Sequence, residues 1–158
     1  MSKSINYCES VTKYQRRKSH VVQIGDLPLG GDYSIRVQSM TTTDTMDTKA
    51  TVAQSIRIIE AGSEYVRITA PSIKEAKNLS DIRKELHKRG YTTPLIADIH
   101  FTPNAAIEAA RIVEKVRINP GNFADRKKFE HIEYTDQSYK EELNRIYERF
   151  VPLVKVCK

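Results

Sequence analysis

Six polar residues stand in three pairs, each pair split by one isoleucine: Arg67 and Thr69 around Ile68, Asp98 and His100 around Ile99, Arg117 and Asn119 around Ile118. In an extended strand, residues i and i+2 share a face, so each pair points one way and its isoleucine the other. Two guanidiniums, a hydroxyl and an amide are the chemistry of phosphate recognition. Arginine offers a planar fork of donors that matches phosphate oxygens, while Thr and Asn add neutral hydrogen bonds. Asp98 and His100 have the groups to move protons or to hold substrate hydroxyls.

The elements that must position these pairs are legible around them. The stretch from Pro94 to Phe123 reads as strand, helix, strand: Leu95 to Ile99, then an Ala-rich helix over Ala105 to Val113, then Val116 to Asn119, stopped by Pro120 and Gly121. Thr102 offers a hydroxyl to cap that helix, and Pro103 suits its first turn. One unit earlier, Tyr65 to Thr69 is a strand, followed by a helix whose Ser72 and Glu75 have capping-box spacing and whose buried stripe is Ile73, Ala76, Leu79, Ile82 and Leu86. Gly90 ends it. Before that, Ser34 to Ser39 is a strand, with Gln38 and Met40 in the place of the polar pairs. A hydroxyl-rich capping loop, Thr41 to Thr45, leads into a helix that Asp47 or Thr48 caps, that carries Val52, Ile56 and Ile59, and that Gly62 ends.

Apolar segments near Val37, Val66, Ile96 and Val116 recur at intervals of about twenty to thirty residues, as repeated βα units do. The expected fold is therefore α/β, a partial TIM-type (βα)8 barrel of about its first four βα units. An N-terminal hairpin or short strand precedes it, with His20 to Ile24 as a strand and Gly25, Asp26, Pro28, Gly30 and Gly31 as turn residues. Residues 1–19 form a polar leader and 20–158 the barrel portion. Asp125 to Glu133 reads as a charged surface loop or frayed helix. From Asp136 onward Tyr139, Leu143, Ile146 and Phe150 mark a last amphipathic helix that Pro152 bends or restarts. In such folds ligands sit at the carboxyl ends of the strands, so the three polar pairs would line one pocket.

Each residue also has a plainer reading. A lone strand-end arginine serves more often in a surface ion pair than as a ligand clamp, His100 would cap a helix or pack beside Phe101, Asp98 would orient it or pair with an arginine, and Asn119 would form a turn before Pro120. His20, His87 and His131 receive no role.

With 39% hydrophobic and 29% charged residues, the 158-residue chain has an ordinary globular composition, and no apolar run approaches bilayer-spanning length. The net charge of +6 suits an anionic ligand. No compact basic stripe with interleaved aromatics speaks for nucleic acid. Cys8 and Cys157 lie at opposite ends of the sequence, a pattern of neither a zinc site nor a secreted disulfide scaffold, and the expected location is cytoplasmic.

The motifs VQSMTTTDT, VRIT, ADIHF and VRINPGN, in this order, resemble the N-terminal barrel of the 4-hydroxy-3-methylbut-2-en-1-yl diphosphate synthases of the non-mevalonate isoprenoid pathway. The segment YTDQSYKEELNRIYERFVPLVK is similar to the long form of that family. The resemblance implies a reductive ring opening of 2-C-methyl-D-erythritol 2,4-cyclodiphosphate, an oxidoreductase reaction fed by a ferredoxin or flavodoxin. It implies Arg67, Arg117 and Asn119 as substrate-binding and Asp98 and His100 as catalytic. It also implies a [4Fe-4S] cluster held by three cysteines and a glutamate in a C-terminal domain, for which this chain has no candidate residues. The expectation is then a truncated half-barrel that is inactive alone, carries no cofactor and self-associates through its open sheet. The competing readings are a non-redox phosphate-binding barrel enzyme of pterin-synthase type and a non-catalytic binding module.

Overall fold

The computed structural model describes residues 10, 12–13, 18–124 and 133–158. Most of the leader, Cys8, His131 and nearly all of the Asp125 to Glu133 run lie outside these residues. The chain divides into two compact units, Met1–Arg36 and Val37–Lys158.

In the first unit, β1 (Val22–Ile24) pairs antiparallel with β2 (Leu27–Leu29), a hairpin closed by Gly25 and Asp26. Pro28 therefore lies within a strand and not in a turn, which a two-stranded ribbon permits because each strand is paired on one side only. The turn falls to Gly30, at φ +98, where a Cβ would come within 2.3 Å of the His20 carbonyl oxygen.

The second unit contains a parallel sheet in the order β3 (Gln38–Met40), β4 (Tyr65–Thr69), β5 (Leu95–Ile99), β6 (Lys115–Ile118). Between them run α1 (Thr48–Glu60), α2 (Ile73–Lys88) and α3 (Pro103–Ala110), followed by α4 (Pro120–Phe123) and α5 (Asp136–Cys157). Strand β3 is shorter than the expected Ser34 to Ser39: its pairing starts only where Gln38 meets Tyr65, the first residue of β4.

Local chemistry sets the helix limits. Asp47 caps α1 by accepting the Ala50 N–H at 2.9 Å, and Ser72 with Glu75 closes the expected capping box on α2. Thr102 precedes α3 without capping it, because its hydroxyl donates to the Pro71 carbonyl at 3.1 Å. Helix α3 stops at Ala110, three residues short of the expected end, and Ile112 and Val113 already turn toward β6. Pro152 neither ends nor restarts α5, which runs through it to Cys157.

One face of the sheet, carrying Val66, Ile68, Leu95, Ala97 and Ile99, packs on Val52 of α1, on Ala76, Leu79, Ile82 and Leu86 of α2, and on Ala105, Ala106 and Ala109 of α3. The expected stripe of α2 is buried except for Ile73, which opens the helix and is 40% exposed. The stripe of α5 has the expected spacing, but Tyr139, Leu143, Ile146 and Phe150 are exposed. That helix buries Leu153 and sets Phe150 edge-on against Phe123, with ring centroids 5.9 Å apart. The opposite face of the sheet, by strand alternation, carries Tyr65, Arg67 and Thr69, then Ile96 and Asp98, then Lys115 and Arg117.

Candidate functional site

On that opposite face, at the carboxyl ends of the strands, two arginines converge on one carboxylate. Arg67 Nη2 donates to Asp98 Oδ2 at 2.7 Å, and Arg117 Nη1 donates to Asp98 Oδ1 at 3.2 Å. Asp98 is 1% exposed, whereas the side chains of Arg67 and Arg117 are 25% and 40% exposed. The carboxylate is thus sealed from solvent, and the part-exposed arginine side chains are its partners. Arg67 Nε is buried without a hydrogen-bond partner among the described residues.

His100 lies just beyond β5, half-exposed, with Nε2 3.7 Å from Asp98 Oδ2. That is an electrostatic neighbour, beyond hydrogen-bond reach. Its ring stands 6.1 Å from that of Phe101, and α3 has no side-chain cap, so of the plainer readings the Phe101 contact is the one realised. Thr69 is the register neighbour of Asp98. Asn119 follows β6 and caps α4: its Oδ1 accepts the Gly121 N–H at 3.1 Å, which commits the oxygen to the turn. The structure therefore gathers Arg67, Asp98, Arg117 and His100 closely. It leaves Asn119 at the margin with a local structural duty.

Sequence reasoning passed over two supports of this cluster. The cap of α1 falls to Asp47, and the hydroxyl-rich loop before it does something else: the buried Thr45 hydroxyl donates to the Thr69 carbonyl at 2.6 Å, and Asn78 Nδ2 of α2 donates to the Thr45 carbonyl at 2.6 Å. The loop is thereby fixed against the end of β4. No single residue announced this.

The second support had a signal, the repeat EYVRIT at 64–69 and EKVRIN at 114–119. Each copy opens on a glutamate that accepts a backbone N–H at the start of the preceding strand: Glu64 Oε2 takes the N–H of Val37, just before β3, at 2.7 Å, and Glu114 Oε2 takes that of Leu95, the first residue of β5, at 2.8 Å. Glu114 also pairs with Arg83 of α2 at 2.8 Å. The clip sets the register at the start of each strand, and the arginine three residues later reaches the other end.

The iron–sulfur cluster implied by the resemblance finds no fitting donor set. Among the described residues no group of three or more His, Cys, Asp or Glu side chains converges, and the whole sequence has two cysteines, too few for the ligands of a cubane cluster. Also among the described residues, no helix is long and apolar enough to cross a membrane.

Comparison with known proteins gives this geometry a family. The model of the GcpE TIM-barrel domain matches residues 19–144. A protein of Parabacteroides distasonis named 4-hydroxy-3-methylbut-2-en-1-yl diphosphate synthase (flavodoxin) is 62% identical over 146 residues, covering 92% of this chain and 24% of the relative. Proteins of the same name from Akkermansia muciniphila and Leptospira interrogans are 51% and 52% identical, covering 97% and 98% of the chain and 26% and 23% of the relatives. The chain spans about a quarter of the length of these relatives. The parallel sheet with its helices is accordingly part of an α/β barrel, and the chain belongs to the GcpE TIM-barrel domain family.

Proposed function

We propose that this chain is the substrate-binding portion of the barrel of a 4-hydroxy-3-methylbut-2-en-1-yl diphosphate synthase. Its strand ends receive the diphosphate of 2-C-methyl-D-erythritol 2,4-cyclodiphosphate. The observation that carries this is the pair of part-exposed arginines toward the carboxyl ends of parallel strands, both bonded to one buried carboxylate. That is where α/β barrels bind ligands, and guanidinium is the group best matched to phosphate oxygens. The names of the relatives support synthesis of 4-hydroxy-3-methylbut-2-en-1-yl diphosphate with a flavodoxin as electron donor.

Within this assignment Arg67 and Arg117 hold the diphosphate and the Asn119 amide adds a donor from the margin. His100, half-exposed beside the arginines, is placed to handle a proton of the sugar-derived portion. The reduction requires electrons from a [4Fe-4S] cluster held by residues outside this chain, so these residues bind and orient, and the chain by itself does not turn over. Cluster reconstitution followed by a reductive assay that yields product from this chain would overturn that statement. Cytoplasmic location is part of the same proposal. So is self-association, since among the described residues β3 and β6 are each paired on one side only. A clean monomer in sedimentation would remove it.

The deciding experiment is calorimetric titration of the chain with the cyclodiphosphate, a pterin diphosphate and a short nucleic acid. The expected result is preference for the cyclic compound, weakened on the order of ten- to a hundred-fold in Arg117→Ala, the worth of a charge-assisted hydrogen bond. Preference for the pterin compound would move the assignment to a non-redox synthase. Equal weak binding of all three would leave a non-catalytic module.

A further inference from the structure

We infer that Asp98 is a positioning residue: its carboxylate splints Arg67 and Arg117 into a single anion-facing pair. The inference rests on the diphosphate reading of the strand ends. Asp98 is 1% exposed, and both its oxygens are occupied by guanidiniums, so it meets no substrate proton unless an arginine first leaves.

The two arginines start from different levels of the sheet. Arg67 is the register neighbour of Ile96, and Arg117 is the neighbour of Asp98 two residues further along β5. The carboxylate brings both to one height by giving each its own oxygen, at 2.7 Å and 3.2 Å. Each guanidinium keeps further N–H groups for a ligand, in an orientation set before the ligand arrives.

Stability alone does not account for a carboxylate here. A buried ionic group is commonly no better for stability than an apolar one of similar size, and Ile96, two residues earlier on the same face, is fully buried. Net charge points the other way as well, because Asp98 adds one negative charge to a site of two positive ones. If charge alone mattered, removing Asp98 would tighten anion binding. A splint predicts the reverse.

The test titrates inorganic pyrophosphate into the chain and into Asp98→Asn, Asp98→Glu and Arg117→Ala, and follows the arginine Nε–H signals by nitrogen-15 NMR. Asp98→Asn keeps the shape and raises the positive charge. It is expected to weaken binding on the order of ten-fold or more and to lower the order of both arginine side chains together. Asp98→Glu, which keeps the charge but displaces the carboxylate, falls between the two. Unchanged or tighter binding in Asp98→Asn, or arginine signals as ordered as in the unaltered chain, overturns the inference. Should Asp98→Asn not fold, Asp98→Glu decides, since binding equal to that of the unaltered chain would show that only charge matters. If Arg117→Ala leaves pyrophosphate binding unchanged, the diphosphate reading fails, and the arginine signals alone decide the splint.

Discussion

Carboxylates meet arginines at both ends of the parallel strands, yet the two ends use the pairing differently. At the amino ends, Glu114 accepts the Leu95 backbone N–H and pairs with Arg83, whose own Nη1 donates to the Ile112 carbonyl. Every group there closes a backbone donor or acceptor that the strand geometry would otherwise leave open. At the carboxyl ends, the Asp98 carboxylate takes only side chains among the described residues, and those side chains are part-exposed. On the diphosphate reading of the strand ends, the partners of a carboxylate, more than its burial, distinguish a structural ion pair from a binding one. A carboxylate bonded to backbone sets register, whereas one bonded only to guanidiniums sets the direction of a charge.

Substitutions between and at the two ends can break this comparison. The largest expected effect lies between them: Ile68→Ala, at a fully buried position in the core under the helices, should cost about 2–5 kcal/mol of stability. Chemical denaturation at an unchanged slope would measure it. Next comes Glu114→Ala, expected to cost about 1–3 kcal/mol because the Leu95 N–H loses its acceptor while Arg83, 38% exposed, rehydrates. Glu64→Ala removes the same clip from β3, an edge strand with its bond open to water, and should cost less, about 0.5–1.5 kcal/mol. Both glutamate variants should bind pyrophosphate as the unaltered chain does. Weakened pyrophosphate binding in Glu114→Ala, with the fold intact, would erase the distinction between the ends.

Much of this was legible in the chain because βα units repeat their chemistry at fixed strand positions. Val66 and Ile68 versus Arg67 and Thr69 is a period-two pattern, and it assigned faces correctly for β4, β5 and β6 without any tertiary information. The convergence of Arg67 and Arg117 on Asp98 was open only as one of several alternatives, since strand order and register decide which arginine reaches which carboxylate. Composition alone made Ser34 to Val37 read as strand, whereas the pairing of β3 with β4 begins only at Gln38 opposite Tyr65. Thr102 and Asn119 show the converse. Each belongs to a type that caps helices, but Thr102 is drawn to the Pro71 carbonyl, while Asn119 performs the cap that competes with a ligand role.

A last substitution tests the comparison where position and partners disagree, and its signal is a small change with pH. Glu75 opens α2 just beyond the carboxyl end of β4, so by position it belongs with the binding end. By partners it belongs with the structural end, since it accepts the Ser72 hydroxyl and, at 3.1 Å, the Ser72 backbone N–H. The Ser72 hydroxyl, and after it the backbone donors, hold the Glu75 carboxyl below its ordinary value. A group depressed in the folded chain contributes stability that is fully present above its unfolded value and is lost as pH falls through its folded value. Ser72→Ala should therefore destabilise by about 1 kcal/mol at neutral pH. The gap from the unaltered chain should narrow as the solution is taken from about pH 5 to pH 3, because protonated Glu75 no longer draws on the Ser72 donors. Denaturation midpoints across that range measure the narrowing, and pyrophosphate affinity at neutral pH should not move. A gap constant with pH would remove the carboxylate from the cap. A change in affinity would show that the start of α2 shares in the binding end after all, and that partners alone do not sort the two.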